Sequence, residues 1–271
     1  MAVLAGVLSQ QNEYMNSAVR RARLVVAYDG SAFLGFAKNP DAPTVAGTLE
    51  AALSTICQSP TTVTGAGRTD TGVHAWGQVV SVDLPTTLKL DDVRRSLNKL
   101  CGNALVVRSV EWAPSPQFNA RFDAIWRHYR YTILNTPTAS PFLTKTAWHV
   151  RQPLNLSLMR LASDPFIGLH DFTSFCRKPK PNPGRKPKSL VREMMLVEWT
   201  DLGEGLLRLD VRANAFCHQQ VRAITGTIVD VGLGKITAGE IAGLLRARDR
   251  RQAGQVAPPE GLCLWEVGYR A

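Results

Sequence analysis

The segment GAGRTDTGVHAWGQ, residues 65–78, gathers a guanidinium (Arg68), a carboxylate (Asp70) and an imidazole (His74) among glycines 65, 67, 72 and 77. Glycine lets a backbone approach a ligand closely, and segments that join strands are where binding and catalytic groups concentrate. Arg68 precedes Asp70 by two residues, which on an extended backbone turns both side chains to one face. A carboxylate in a cleft stays ionised only if a cation offsets its desolvation. Held charged and fixed in place, it serves as a nucleophile or a base. The plain alternative is a turn-forming aspartate that satisfies nearby backbone N–H groups.

Other chemistries fit the sequence less well. No G-x-x-x-x-G-K-[ST] run is present, and the G-x-G at 65–67 lacks the third glycine of a dinucleotide site. Histidines 74, 128, 149, 170 and 218 show no metal-ligand spacing. Ser174 and Cys176 lack the surroundings of a hydrolase nucleophile. His74 is expected to hydrogen-bond the loop backbone rather than react.

The elements that must position this segment can be read on either side of it. RLVVAYD, 23–29, alternates as a strand, and TVAGTLEAALSTIC places Val45, Leu49, Leu53 and Ile56 at helical spacing behind a Thr44 N-cap. TTVTGAG and WGQVVSVDL read as strands, DDVRRSLNKLC as a helix capped by Asp91, and ALVVRSVEW as a strand. The order β-α-β-β-α-β implies an α+β sandwich with helices on an antiparallel sheet. APSPQFNARFDA reads as a linker. The pattern then restarts with RHYRYTILN, a helix near 155–163, the strands SLVREMMLVEW and GLLRLDVRA, and the helix FCHQQVRAITGTIVDVG. A helix opened by a Thr237–Glu240 capping box and the strand LCLWEVGY complete it. The expectation is two ferredoxin-like domains, 22–118 and 119–271, with a cleft between them and a flexible extension over 1–21.

Lysine and arginine outnumber aspartate and glutamate 32 to 22, a net charge of +10 in 271 residues. Such an excess points to a polyanionic partner, nucleic acid first. It is concentrated in CRKPKPNPGRKPKSLVR, 176–192, which has seven basic residues, four prolines and no acid. This reads as an exposed arm, with Lys178, Lys180, Arg185 and Lys186 placed to neutralise phosphates. Five scattered cysteines without a C-x-x-C pair read as free thiols of a reducing compartment. No apolar run is long enough to cross a membrane.

The motif GAGRTDTGVHAWGQVV resembles the signature of the TruA-type tRNA pseudouridine synthases. YDGSAFLGF, FNARFDAIWRHYRYTILN, DFTSF, ANAFCHQQVRAITGTIVDVG and EGLCLWEVGY are similar to further family motifs, in order, over roughly residues 22–270. Phe36 stands where the family usually has tryptophan. Gln219 and Gln220 stand where histidines are frequent.

The resemblance implies a homodimeric, cytoplasmic isomerase that converts uridine to pseudouridine at nucleotides 38–40 of the tRNA anticodon stem-loop, without cofactor or metal. Asp70 would be the catalytic carboxylate. Arg222 would keep Asp70 charged, and Tyr129 would lie near the displaced uracil. Arg68 would help displace the target nucleotide, while Arg121, Arg127 and Gln78 would contact RNA. Tyr129 and Tyr131 bracket Arg130, and one of them is expected in a core, the other at a cleft. Phe118, Phe122 and the six tryptophans are expected to be core residues. A non-catalytic basic RNA-binding module is the competing class, and a metal-dependent nucleotide hydrolase using Asp70 and His74 a third.

Overall fold

A computed structural model describes residues 18–177 and 189–270. Lys178, Lys180, Arg185 and Lys186 therefore lie outside the described residues, as do positions 1–17. The chain divides into two compact units after Ala124.

In the first unit, strands β1 (Val19–Tyr28), β2 (Thr64–Gly65), β3 (His74–Pro85) and β4 (Leu105–Trp112) form a sheet ordered β4-β1-β3-β2. All three pairings are antiparallel. Helix α1 (Val45–Cys57) lies between β1 and β2, and α2 (Leu90–Leu100) between β3 and β4. This is the expected β-α-β-β-α-β order. Alternation along β1 buries Ala22, Leu24, Val26 and Tyr28. The helices add Leu49, Leu53, Val93 and Leu97 to this core. The Thr44 hydroxyl accepts the Gly47 N–H and caps α1. The expected Asp91 cap of α2 is absent: the helix begins at Leu90, and Asp91 and Asp92 sit in its first turn, where carboxylates favour the dipole.

Two boundaries differ from expectation. Strand β1 starts at Val19, so residues 19–21 belong to the sheet rather than to an extension; Val19 pairs with Pro85. The first unit also extends beyond residue 118 to Ala124. Arg21 donates to the Phe118 carbonyl, and the Ala120 N–H to the Ser81 hydroxyl, tying this stretch to the first sheet. Phe118 is buried as expected, but Phe122 is 78% exposed. An Asn119 turn, whose side chain accepts the N–H groups of Arg121 and Phe122, turns that ring outward.

The second unit repeats the plan. Strands β5 (Ala124–Leu134), β6 (Trp148–His149), β7 (Gly168–Asp171), β8 (Val191–Gly203), β9 (Leu206–Ala213) and β10 (Leu262–Tyr269) surround helices α3 (Leu156–Ser163), α4 (Gln220–Gly232) and α5 (Glu240–Ala247). The order is β10-β5-β9-β8-β7, with β6 parallel to β5. The four-strand core β10-β5-β9-β8 matches the first unit's topology. Short β6 and edge strand β7, two and four residues long, carry too little alternation to mark them in the sequence. Glu240 accepts the Thr237 N–H and hydroxyl, as the capping pattern requires.

Tyr129 and Tyr131 face the same side of β5, paired with Val211 and Leu209. Residues two apart share a face, so strand alternation does not divide the two tyrosines; Tyr131 is wholly buried and Tyr129 slightly less so. Of the tryptophans, Trp199 is buried and Trp76 is 46% exposed. The cysteines also depart from expectation. Cys176 and Cys217 form a disulfide with Cα atoms 5.8 Å apart, while Cys57, Cys101 and Cys263 are thiols. Their 41-residue separation left no pairing signal in the chain.

Candidate active site

The glycine-flanked segment begins as a ladder and then leaves it. Thr64 and Gly65 pair with Ser81 and Val80, and the Ala66 N–H donates to the Val79 carbonyl at 2.8 Å. At Gly67 a side chain takes over from the strand. The Gln78 Oε1 accepts the Gly67 N–H at 3.2 Å, and its Nε2 donates to the Gly67 carbonyl at 2.6 Å. Gln78 is wholly buried. Its amide is committed to the loop.

Arg68 is exposed, Thr69 buried and Asp70 half-buried. The Thr69 hydroxyl bonds the Tyr28 hydroxyl at 2.8 Å, and the Thr69 carbonyl accepts the Phe36 N–H at 3.1 Å. The Asp70 carbonyl then accepts the Val73 N–H at 3.1 Å, closing a turn in which Gly72 has φ +80°. A side chain at that φ would be strained. The turn packs against Gly30: a Cβ there would lie 2.1 Å from the Val73 carbonyl oxygen. His74 secures the exit. Its Nδ1 accepts the Gly30 N–H at 3.1 Å and lies 3.3 Å from the Asp29 carboxylate. The Phe36 ring lies against Gly65, where a Cβ would come within 2.3 Å of it. The result is an acid on a backbone held before and after it, beside an exposed guanidinium. Tyr28 and Thr69 are supporting residues that local sequence patterns do not mark, whereas Phe36 stands out in the sequence only as a departure from the family motif.

The remaining predicted residues fall in two places. In the first unit, Arg121 is exposed, with its guanidinium 5.7 Å from the Phe122 ring. In the second unit, Tyr129 is nearly buried, and its ring meets Phe216 edge-on at 5.1 Å between centroids. Arg127 donates to the Asn214 carbonyl at 2.9 Å. Arg222, in the first turn of α4, donates through Nε to the Ala257 carbonyl at 2.7 Å, and its own carbonyl accepts the Ala257 N–H. Gln220, one of the departures from the family pattern, accepts the Cys217 N–H through Oε1 at 2.9 Å and orders the entry to α4.

Tyr131, deeper on the same strand, donates to the Pro258 carbonyl at 2.8 Å, and burial pushes its phenol far above the usual range. It is a core residue locked as neutral phenol. Asp210 on β9 is the strongly perturbed acid. Burial alone would raise its carboxyl, but hydrogen bonds from His128, Arg130 and Arg208 outweigh that and hold it well below the usual range. Among the described residues no group of three or more His, Cys, Asp or Glu could hold a metal ion. No helix among them is long and apolar enough to cross a membrane.

The sequence profile of the tRNA pseudouridine synthases matches residues 24–123 and 162–270, well over half of the chain and including the whole Arg68–Gln78 loop. The chain belongs to that family. Curated relatives match along nine-tenths or more of their length. The tRNA pseudouridine synthase A of Brevibacillus brevis is 40% identical over 251 residues, 93% of this chain and all of that protein. The protein of the same name from Caulobacter vibrioides is 42% identical, covering 92% of this chain and 98% of the relative. That of Gluconobacter oxydans is 38% identical, covering 93% and 90%. Like the rest of its family, this pseudouridine synthase is an isomerase.

Proposed function

We propose that this protein isomerises uridine to pseudouridine at nucleotides 38–40 of the tRNA anticodon stem-loop, with Asp70 as the catalytic carboxylate. The reaction breaks the bond from uracil N1 to C1′, turns the base, and joins C5 to C1′. Atoms and electrons balance within the substrate, so the reaction calls for no redox partner. It does call for a base withdrawn from its stack and a charged group held still beside it. Asp70 serves either by attacking the base or the sugar, or by steadying the intermediate while Tyr129 draws off a sugar proton. Arg222 is assigned to keep Asp70 ionised, because guanidinium stays protonated and forks onto carboxylates. Arg68 is assigned to displacing the target nucleotide.

The observation that supports this reading most is the framed backbone on either side of Asp70, within a segment that the family profile matches. Binding is assigned to Arg121, Arg127 and the basic segment 177–192, with Lys178, Lys180, Arg185 and Lys186. The positive net charge supports a polyanionic substrate. A homodimer acting in the cytoplasm completes the proposal.

The test is pseudouridine mapping on unmodified tRNA with the native protein and with Asp70→Asn. The native protein should modify the anticodon arm. The variant should form no product while binding tRNA with unchanged affinity. Product from Asp70→Asn at the native rate would remove the carboxylate from the chemistry. Tight binding by the native protein with no product on any tRNA would favour a binding module.

A further inference from the structure

We infer that Gln78 and Tyr28 are positioning residues that set the rate of the reaction by fixing the backbone beside Asp70, acting through Gly67 and Thr69. The inference rests on the reading of Asp70 as the reacting group.

The argument starts from the ladder. Pairing of β2 with β3 runs through Thr64, Gly65 and Ala66 and, continued, would bring residue 67 opposite the backbone of residue 78. Instead the Gln78 side chain supplies both hydrogen bonds of Gly67. The loop therefore leaves the sheet here, held a side-chain length from β3 while still fully bonded. A carboxamide carries a donor and an acceptor side by side, matching the N–H and carbonyl of one residue. Glutamate would lose the donor, methionine would lose both functions, and asparagine would fall short by one methylene.

The frame continues past Arg68. Gln78 Nε2 lies 3.5 Å from the Tyr28 hydroxyl, which bonds the Thr69 hydroxyl at 2.8 Å. Gly67 and Thr69 are thus tied to one buried polar chain, with Arg68 between them and Asp70 next in line. Tyr28, Thr69 and Gln78 are all buried, so bulk water cannot replace a missing partner. Gln78 is followed by Val79 and Val80, both buried. A branched apolar residue would suit a strand at that point. A buried polar frame stabilises such a strand less readily than apolar packing, but it specifies one orientation of the groups attached to it.

The experiment compares Gln78→Met, Thr69→Val and Thr69→Ser for kcat, for tRNA dissociation constant and for cooperative unfolding. Gln78→Met should lower kcat by about 10- to 100-fold, the loss expected when a reacting group drifts by about 1 Å. Its tRNA dissociation constant should stay within about twofold. Thr69→Val should fall in the same way, and Thr69→Ser, which restores the hydroxyl, should recover kcat to within about threefold. If Gln78→Met does not fold, the Thr69 pair decides the question. Native kcat in folded Gln78→Met, or equal rates for the two Thr69 variants, would overturn the inference. So would a loss of kcat matched by an equal loss of affinity. Asp70→Asn separates the two readings: full activity there removes Asp70 from the chemistry, whereas an inactive Asp70→Asn beside a fully active Gln78→Met removes only the frame.

Discussion

Gly30→Ala is the most searching single change to the loop. Its Cβ would fall 2.1 Å from the Val73 carbonyl oxygen, 2.3 Å from the Val73 carbonyl carbon and 2.8 Å from the Gly72 carbonyl carbon. All three atoms are backbone, so no side chain can rotate away. Ordinary contact needs more than 3 Å, so the turn from Asp70 to Val73 has to move by about 1 Å. Overpacking of this kind destabilises by about 1–3 kcal/mol. The same displacement lowers kcat by about 100-fold, or about 2.7 kcal/mol of transition-state stabilisation. The His74–Gly30 hydrogen bond would shift with it. Gly102→Ala is the control. Gly102 has φ +71° but nothing within 4 Å of an added Cβ, so it should lose about 1 kcal/mol of stability and keep its kcat. The assay is single-turnover pseudouridine formation alongside a thermal melt. A Gly30→Ala enzyme that folds and turns over at the native rate would refute the claim that this turn holds the reacting carboxylate. So would equal kcat losses in both variants.

Two further outcomes concern the second unit. Asp210 has a depressed folded pKa, so its contribution to stability is present above the unfolded value near 3.8 and is lost as pH falls below it. The urea midpoint, followed by tryptophan fluorescence, should drop between about pH 5 and pH 2, and Asp210→Asn should flatten that slope; an unchanged slope would remove the cluster as its cause. Reducing the Cys176–Cys217 disulfide should lower the melting temperature, because a 41-residue loop is released. Chain entropy puts the loss at about 4 kcal/mol, and identical melts before and after reduction with thiol capping would count against it.

Features set by neighbours along the chain can be read directly from the residues. The α1 stripe and its Thr44 cap, the strand at 262–269, the β-α-β-β-α-β order and the Arg68–Asp70–His74 segment were all legible. Periodicity, capping and glycine placement act over a few residues, so they survive in a one-dimensional reading. Other features arise from residues far apart in the chain and emerge only on folding. Gln78 reads as a polar residue at the start of a strand, and its enclosure by Gly67 and Tyr28 comes from pairing across 11 and 50 residues. Phe122 has the composition of a core residue but is turned outward by Asn119. Tyr129 and Tyr131 share a face, and it is their depth along β5 that makes Tyr131 a locked core phenol. Edge strand β7 exists because β8 offers it a ladder, and the Cys176–Cys217 pair because folding brings two distant loops together. Burial and pairing of this kind are properties of the packed chain as a whole, so no short window of sequence contains them.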